Sequence, residues 1–562
     1  MDLKFNFDAV SAVIVGGLVT TAACSFLLHK DSDVHPAILR KQSLVSSTRN
    51  PSESGIYRSK LTPHGTQLHS SINENKTSSD AFWSCVDQFG HREFVGYLQD
   101  GHSCSWISFK DLAQRVLFTG AGLVQATGLT AIAPSGSDPV SSNMVGIWLD
   151  NSPEWLITDY AAMSYGLVTV PIDDTMSEDA LKYILNHTQM TVIVVGLSHM
   201  DKVFSISAVS PSLKTVIVAD ASSLDDNIIS RAKDLHLKLM VFKELEAFGE
   251  KHPMDRPQIN PMDIFTILYT FGDSGSPKGA MLRNRSIMAS GAGRISSLKH
   301  GADIGEDDRY LSHLSLSNIS ERMMVHAMAA HGGKVGLFSG GVDTFETNCE
   351  IFQPTVITAN AFMLDRWNSK ASIMSAKSDC VRGGLFDMAT AAKMRLLAQG
   401  IVTRSSLWDY LGLSKIQARM GRQVRTIIID SGRIDPDTLT SIRAMYGVNI
   451  IHGYSLAQSC AAGLATLPGD YTFPCGSHVG VPCSSIEYKL VDIKSHGYLV
   501  TDPNPRGEIC LRGPSVMKGY FKDPESTAKA IDLESGWLHS GDVGEVFPNG
   551  TLRIIDRLES LS

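Results

Sequence analysis

The amino-acid sequence predicts an α/β fold of parallel sheets covered by helices, followed by a small antiparallel or barrel-like unit. Three observations carry this. Apolar, β-branched runs alternate with helical stretches from about residue 144 to 454. The chain has 562 residues, more than one compact core fills, so two or more subdomains are expected. From about Gly476 the strands become short, with Gly or Pro between them.

The chain starts with a charge-free run. Residues 9–28, AVSAVIVGGLVTTAACSFLL, carry no charged side chain. As a helix such a run spans about 30 Å, the thickness of a bilayer core. His29, Lys30, Arg40 and Lys41 follow it, and the positive-inside rule then puts the body in the cytosol. A cleaved signal peptide competes, since TAAC offers small residues, but the run is long for a signal core and the body lacks a disulfide pattern. A membrane anchor is therefore expected over 1–30, with the lipid bilayer as a partner and the endoplasmic reticulum or peroxisome as the membrane. Residues 31–80, rich in Ser, Thr, Asn and His, read as a linker or extended arm.

The α/β subdomains are expected over 81–475. MVGIWLD (144–150) is a strand; Ser152, Pro153 and Glu154 then supply an N-cap, a first-turn proline and an acid for the helix dipole. Gly166 stops that helix, and LVTVPI (167–172) is the next strand. TVIVV (191–195), TVIVA (215–219), KLMVF (238–242), FTILYTF (265–271), RTIIID (425–430) and NIIHGY (449–454) continue the series. Continuous apolar strands separated by helices are the pattern of parallel sheets buried on both faces. Over 476–562, VGVPCSSIEYKLVDI and RGEICLRGP mark the β-rich unit.

Composition excludes some functions. Hydrophobic residues make up 43% and charged residues 19%, as in ordinary globular proteins. The net charge of −8 and the absence of a long Lys/Arg run argue against nucleic acid as a partner. The nine cysteines are dispersed, without a CxxC pair or a zinc spacing, and read as reduced, buried thiols.

The sharpest local signal is YTFGDSGSPKGAM (269–281). Its glycines remove side chains so that backbone N–H groups converge on phosphate oxygens, and Lys278 adds a mobile positive charge. A Walker loop needs GxxxxGK followed by Ser or Thr; here Lys278 lies between Pro277 and Gly279, which disfavours a P-loop NTPase. A Gly/Ser surface turn is the bland alternative.

With PKGAML the chain resembles the adenylate-forming (AMP-binding) superfamily, and within it the long-chain fatty acyl-CoA synthetases, whose loop reads YTSGTTGxPKGVML. DNSPEWLITDYAAMSYGLVTVPIDDT (150–175) is similar to that family's EW and VPLYDT segment. YLSHLSLSNISER (310–322) looks like its stretch ending in AHIFER, and FQPTVITANAFMLDR (352–366) like its PTVF…VPR segment. HGYSLAQS (452–459) stands where GYGxTE is expected. RGEICLRGPSVMKGYFKDPESTAKAI and GWLHSGDVGEVFPNGTLRIIDR fit the later motifs nearly residue for residue. The likeness runs from about His35 to Arg557. It implies two helix-flanked, mostly parallel sheets plus a small distorted β-barrel.

The resemblance also implies two-step chemistry: a fatty acid or similar carboxylic acid attacks the α-phosphate of ATP, and coenzyme A, as co-substrate, then displaces AMP. Gly272, Ser274, Gly275 and Lys278 would cradle the phosphates, with Lys278 as the catalytic cation. Gly453 and Tyr454 would line the adenine pocket, and Asp542 and Arg557 would meet the ribose. Each has a bland reading: core packing for Tyr454, a capped turn for Asp542, a surface ion pair for Arg557.

Departures from the family cluster at this site. Phe271 and Asp273 replace Ser and Thr, Asn318 stands at the histidine of AHIFER, and Arg433 enters a segment of small residues. Ala457 and Gln458 replace Thr and Glu. The family's glutamate binds Mg²⁺, for which the neutral amide of Gln458 is a weaker metal ligand. The chain ends at DRLESLS, the family's hinge, so a C-terminal catalytic domain is expected to be absent. Two functions follow: a membrane-anchored acyl-CoA ligase, an acid–thiol ligase, or a catalytically degenerate relative acting as an acyl-chain-binding or scaffold protein.

Overall fold

The computed structural model describes residues 36–48, 50–72, 76–99, 103–131, 138–271, 276–299, 301–377, 380–429, 434–470 and 478–561. The strand–helix–strand unit expected near residue 150 is present. Strand Met144–Trp148 is buried throughout, Ser152 Oγ accepts the Trp155 N–H at 3.3 Å, and Gly166 ends helix Pro153–Tyr165 with φ 71°. That left-handed cap suits a residue without Cβ.

Two large sheets follow from the apolar runs. In the first, Val168–Pro171, Met144–Trp148, Val192–Val195, Thr215–Val218 and Lys238–Val241 are parallel neighbours in that order. Ile264–Thr270 joins beside Val168–Pro171, also parallel, and turns back as the antiparallel edge strand Lys278–Arg283. Among the described residues the second sheet has nine strands. Its parallel centre is Asn449–Ser455, Thr426–Ile429, Val356–Ala359, Arg309–Ser312, Lys334–Leu337 and Glu93–Gln99, with antiparallel additions at both edges.

The sheets are joined by a buried charge pair. Arg322, on helix Ile319–Ala330 from the second sheet, donates to Asp159 on helix Pro153–Tyr165 and to Thr266 Oγ1 at 3.2 Å in the first sheet. Arg322 is 1% exposed and its guanidinium lies over the Trp155 and Phe265 rings.

Among the described residues the β-rich unit is a six-stranded antiparallel sheet in the order Ser43–Val45, Tyr57–Ser59, Glu487–Val491, Arg506–Arg512, Leu538–Val546 and Leu552–Arg557. Its two edges meet at one end, where Gln42 N–H donates to Asn549 O at 2.7 Å and Ser43 Oγ to Gly550 O at 2.8 Å, so the sheet curls as a distorted barrel does. It departs from expectation in one way. Its first two strands come from the segment read as a linker or arm, so residues within 31–80 are integral to this sheet. The physical reason is burial: Tyr57 stacks on Tyr488 with centroids 4.8 Å apart, and Arg58 pairs with Glu487 at 3.1 Å. The expected anchor, residues 9–28, lies outside the described residues; among those described, no helix is long and apolar enough to cross a membrane.

Candidate active site

Parallel strands of both sheets end on one cavity of about 480 Å³. Its wall takes Pro171, Asp173 and Thr175 after Val168–Pro171, and Tyr269 to Phe271 at the end of Ile264–Thr270. From the second sheet come Leu314, Ser317 to Ser320, Thr358 to Asn360, and Ser455 to Ala457. Ligands of open α/β sheets bind outside the carboxyl ends of the strands, where loops diverge and helix N-termini point inward. This cavity has that position twice over.

The glycine-rich segment falls in sequence between the antiparallel strands Ile264–Thr270 and Lys278–Arg283, in which Thr270 and Lys278 are paired. Gly272, Asp273, Ser274 and Gly275 lie outside the described residues, as does Arg433. Lys278 stands at the hairpin mouth, its Nζ 5.7 Å from the centre of the Tyr520 ring. Tyr520 is brought there by backbone: Phe521 N–H donates to Gly279 O at 2.8 Å, and Met281 N–H to Gly519 O at 2.9 Å. Gln458 joins the group, its side-chain Nε2 donating to Tyr520 Oη at 3.2 Å while its backbone carbonyl accepts the Met517 N–H at 2.8 Å. Lys278, Tyr520 and Gln458 thus meet although they are far apart in the chain.

A second group is built on Gly453 and Tyr454, in strand Asn449–Ser455. Tyr454 Oη donates to Asp542 Oδ2 at 2.6 Å, and Arg557 Nε donates to Asp542 Oδ1 at 3.1 Å. Asp542 and Arg557 are opposite residues of neighbouring strands, so the register of the Leu538–Val546/Leu552–Arg557 hairpin sets their contact. Burial, and then the Asp542 charge, push the Tyr454 phenol well above its ordinary range, which fixes it as a donor. Tyr454 and Asp542 are buried; the Arg557 side chain is 60% exposed, an ion pair at the surface as its bland reading holds.

Between the two groups the chain passes Ser455, Leu456 and Ala457, all on the cavity wall. Sequence reasoning missed Asp173 and Ser317, which also line it. Ser317 Oγ donates to Asp173 Oδ2 at 2.7 Å. Half-burial opposes the Asp173 charge, but hydrogen bonds from Thr175, Ser317 and Ser315 outweigh it and hold the carboxyl below its usual range. Asp173 falls at the tyrosine of the VPLYDT pattern, the one signal that could have singled it out.

The carboxylate expected of a magnesium ligand is not supplied at Gln458, whose amide is turned to Tyr520. A neutral amide in that contact does not fit a hard-cation ligand of the charged-oxygen kind.

A two-sheet α/β body with a cavity of about 480 Å³ at the strand ends, lined by the strand that leads into the glycine-rich segment, is the architecture of adenylate-forming proteins. The chain belongs to the AMP-binding enzyme family, whose model matches residues 82–521. It is 30% identical over 545 residues to long-chain-fatty-acid–CoA ligase 5 of Rattus norvegicus, covering 96% of this chain and 76% of that protein. It is 29% identical to long-chain-fatty-acid–CoA ligase 1 of Homo sapiens, over 90% of this chain and 70% of that protein. These relatives are acid–thiol ligases. Among solved structures, the adenylation domain of a carboxylate reductase from Mycobacterium chelonae superposes with TM-score 0.66 at 20% identity, covering 87% of this chain and 73% of that one. An anthranilate CoA ligase in complex with anthranoyl-AMP gives TM-score 0.64 at 16% identity, over 86% and 78%. At those identities the structures establish the fold.

Proposed function

We propose that this protein activates a long-chain or related carboxylic acid with ATP and passes the acyl group to coenzyme A. In the first step a carboxylate oxygen bonds to the α-phosphorus and the bond to pyrophosphate breaks. In the second the coenzyme A sulfur bonds to the acyl carbon, AMP leaves, and the thiol proton passes to solvent. The observation that carries this reading is the convergence of strand ends from both sheets on one cavity, lined by the end of strand Ile264–Thr270, whose hairpin partner begins at Lys278, and by Ser455, Leu456 and Ala457, which follow Gly453 and Tyr454.

In this reading Lys278, with Gly272, Ser274 and Gly275, holds the phosphates. Gly453 and Tyr454 face the adenine, and Asp542, positioned by Tyr454 and Arg557, accepts from the ribose hydroxyls. Such chemistry depends on positioning and charge stabilisation, which fixed groups supply without reorganising. Since Gln458 does not fit Mg²⁺, no step is assigned to the ion here.

Fatty-acid-dependent exchange between ATP and labelled pyrophosphate, on the purified chain, tests the first step. Exchange that rises with added long-chain acid and falls in Lys278→Ala is expected; exchange indifferent to acid overturns the reading. We further propose that residues 9–28 anchor the protein in a membrane with the body in the cytosol, on the strength of their charge-free length. Removing residues 1–30 should release it from carbonate-washed membranes, and a shortened protein that still pellets would refute the anchor.

A further inference from the structure

Apart from the cavity, one more cluster of ligand-type side chains stands out, on the β-rich sheet. The pleat puts Glu508 and Cys510 on one face of strand Arg506–Arg512, and Cys510 is directly opposite His539 on Leu538–Val546. The register then shifts, so that Glu508 is opposite Val543. Two steps along one strand therefore match four along the other, and the slack returns Glu508 to the side of His539. His539 Nδ1 lies 2.9 Å from Glu508 Oε2 and 3.5 Å from Cys510 Sγ. The three ligand atoms all lie within 4.8 Å of one another.

We propose that Glu508, Cys510 and His539 form a binding site for a borderline-soft divalent transition metal of the Zn²⁺ type. Tetrahedral zinc with Zn–S near 2.3 Å and Zn–N near 2.0–2.1 Å needs a sulfur–nitrogen separation of roughly 3.5 Å, which the Cys510–His539 pair already has. The carboxylate has to withdraw from His539 by about half an ångström and settle roughly 3.5 Å from the Cys510 sulfur to reach tetrahedral spacing; it already lies within 4.8 Å of that sulfur, and its side-chain torsions allow the adjustment. On binding, the S–H proton passes to solvent and a metal–sulfur bond forms. Thiolate and carboxylate then balance the ion's two charges. Lys489, a cation on the neighbouring strand, is the cross-strand partner of Cys510, but its Nζ is paired with Glu53 Oε2 at 2.6 Å. Asp532 adds a favourable charge on the His539 side. Cys510 is fully buried, whereas the His539 side chain is 39% exposed, so entry and an open fourth position both lie on the histidine side.

The site adjoins the nucleotide machinery through one bond. Glu508 Oε1 accepts the Gly541 N–H at 3.2 Å, one residue before Asp542. A metal on Glu508 would stiffen the turn that aims Asp542, yet the binding claim itself does not depend on the ligase reading.

The test uses the whole protein with Co²⁺ as the probe, followed by Zn²⁺ in competition with a chromogenic chelator. Bound Co²⁺ should show a near-ultraviolet thiolate-to-cobalt charge-transfer band, which Cys510→Ser abolishes. Zn²⁺ affinity should fall by at least roughly tenfold, about 1.4 kcal/mol, in His539→Gln and in Glu508→Gln, and Zn²⁺ should raise the melting temperature of the parent more than that of either. Should Cys510→Ser fail to fold, the half-exposed His539→Gln decides the matter. No charge-transfer band, or a band and affinity unchanged in His539→Gln, overturns the proposal and assigns any bound metal elsewhere.

Discussion

Tyr454 Oη donates to Asp542 Oδ2 at 2.6 Å, across 88 residues of chain and between two different sheets. The bond makes the aim of Asp542 a property of the second sheet as well as of its own hairpin. Its other oxygen is held by Arg557 at 3.1 Å.

The three residues should rank differently in unfolding experiments. Tyr454→Phe removes a buried donor to a charged acceptor and should destabilise by about 1–3 kcal/mol. Asp542→Asn removes the acceptor for both neighbours and should lose at least as much. Arg557→Ala should lose at most about 1 kcal/mol, because that side chain is 60% exposed and such pairs are worth little. Urea unfolding of the three variants checks the order. An Arg557→Ala effect as large as that of Asp542→Asn would show that the ion pair, rather than Tyr454, holds the carboxylate.

The Arg322–Asp159 pair predicts a non-additive result. Both residues are almost wholly buried, so Asp159→Asn leaves a guanidinium charge without its counter-ion and should destabilise by about 3–5 kcal/mol. Arg322→Met combined with Asp159→Leu should be much less damaging than the sum of the single changes, since it removes both charges. A double-mutant cycle by urea unfolding measures the coupling; simple additivity would mean that the pair does not clamp the two sheets together.

Much of this was legible in the sequence where the signal is local. The cap, proline and glycine around helix Pro153–Tyr165 are adjacent to the helix they delimit, and the buried strands declare themselves by continuous β-branched runs. What escaped is non-local. Strands Ser43–Val45 and Tyr57–Ser59 are too short to show a period, and their place follows from pairing with Glu487–Val491. The contact of Asp542 with Arg557 depends on hairpin register, and those of Tyr520 with Lys278 and with Gln458 on backbone pairing to strand Lys278–Arg283 and to Gln458. Cysteine spacing rules are blind to a ligand set such as Glu508, Cys510 and His539, which is assembled across strands.

Acid should begin to destabilise the protein above the ordinary carboxylate range. Burial holds His313 down to about 4, and burial, then the neighbouring Arg322 charge, hold His326 down to about 3. Burial also lowers His187 and His478. In the unfolded chain each takes a proton near pH ~6.5, so below that the unfolded state binds more protons and stability falls with pH. From pH 7 to 5, His313 and His326 should each remove about 2 kcal/mol. His539, raised mainly by its hydrogen bond to Glu508, has the opposite sign: its contribution is present at low pH and is lost as pH rises through its folded value. Lowered carboxyls such as Asp308 act only below their ordinary range. His326→Phe keeps the ring that meets Tyr160 edge-on and should flatten the loss. Urea unfolding at the two pH values checks this; an unchanged slope in His326→Phe would show that His326 is not held neutral.

The altered loop and the altered metal position make a joint prediction. A carboxylate at Asp273 about 4 Å from a phosphate charge opposes binding by roughly 4 kcal/mol at an effective dielectric near 20. Water and counter-ions reduce this to ~1–2 kcal/mol, about ten- to thirtyfold in affinity. Asp273→Thr should therefore tighten Mg-ATP binding, and Asp273→Asn should recover part of the gain. Gln458→Glu acts separately: it replaces the amide donated to Tyr520 with a carboxylate that accepts from the same hydroxyl, and it adds the charged oxygen that Mg²⁺ prefers. The double variant should bind Mg-ATP more tightly than either single one. Calorimetric titration at two salt concentrations separates the terms, because the Asp273→Thr gain should shrink at high salt. Tight Mg-ATP binding by the natural sequence, unchanged or weakened in Asp273→Thr, would make Asp273 a working part of the site and end the reading of a phosphate loop at odds with its ligand.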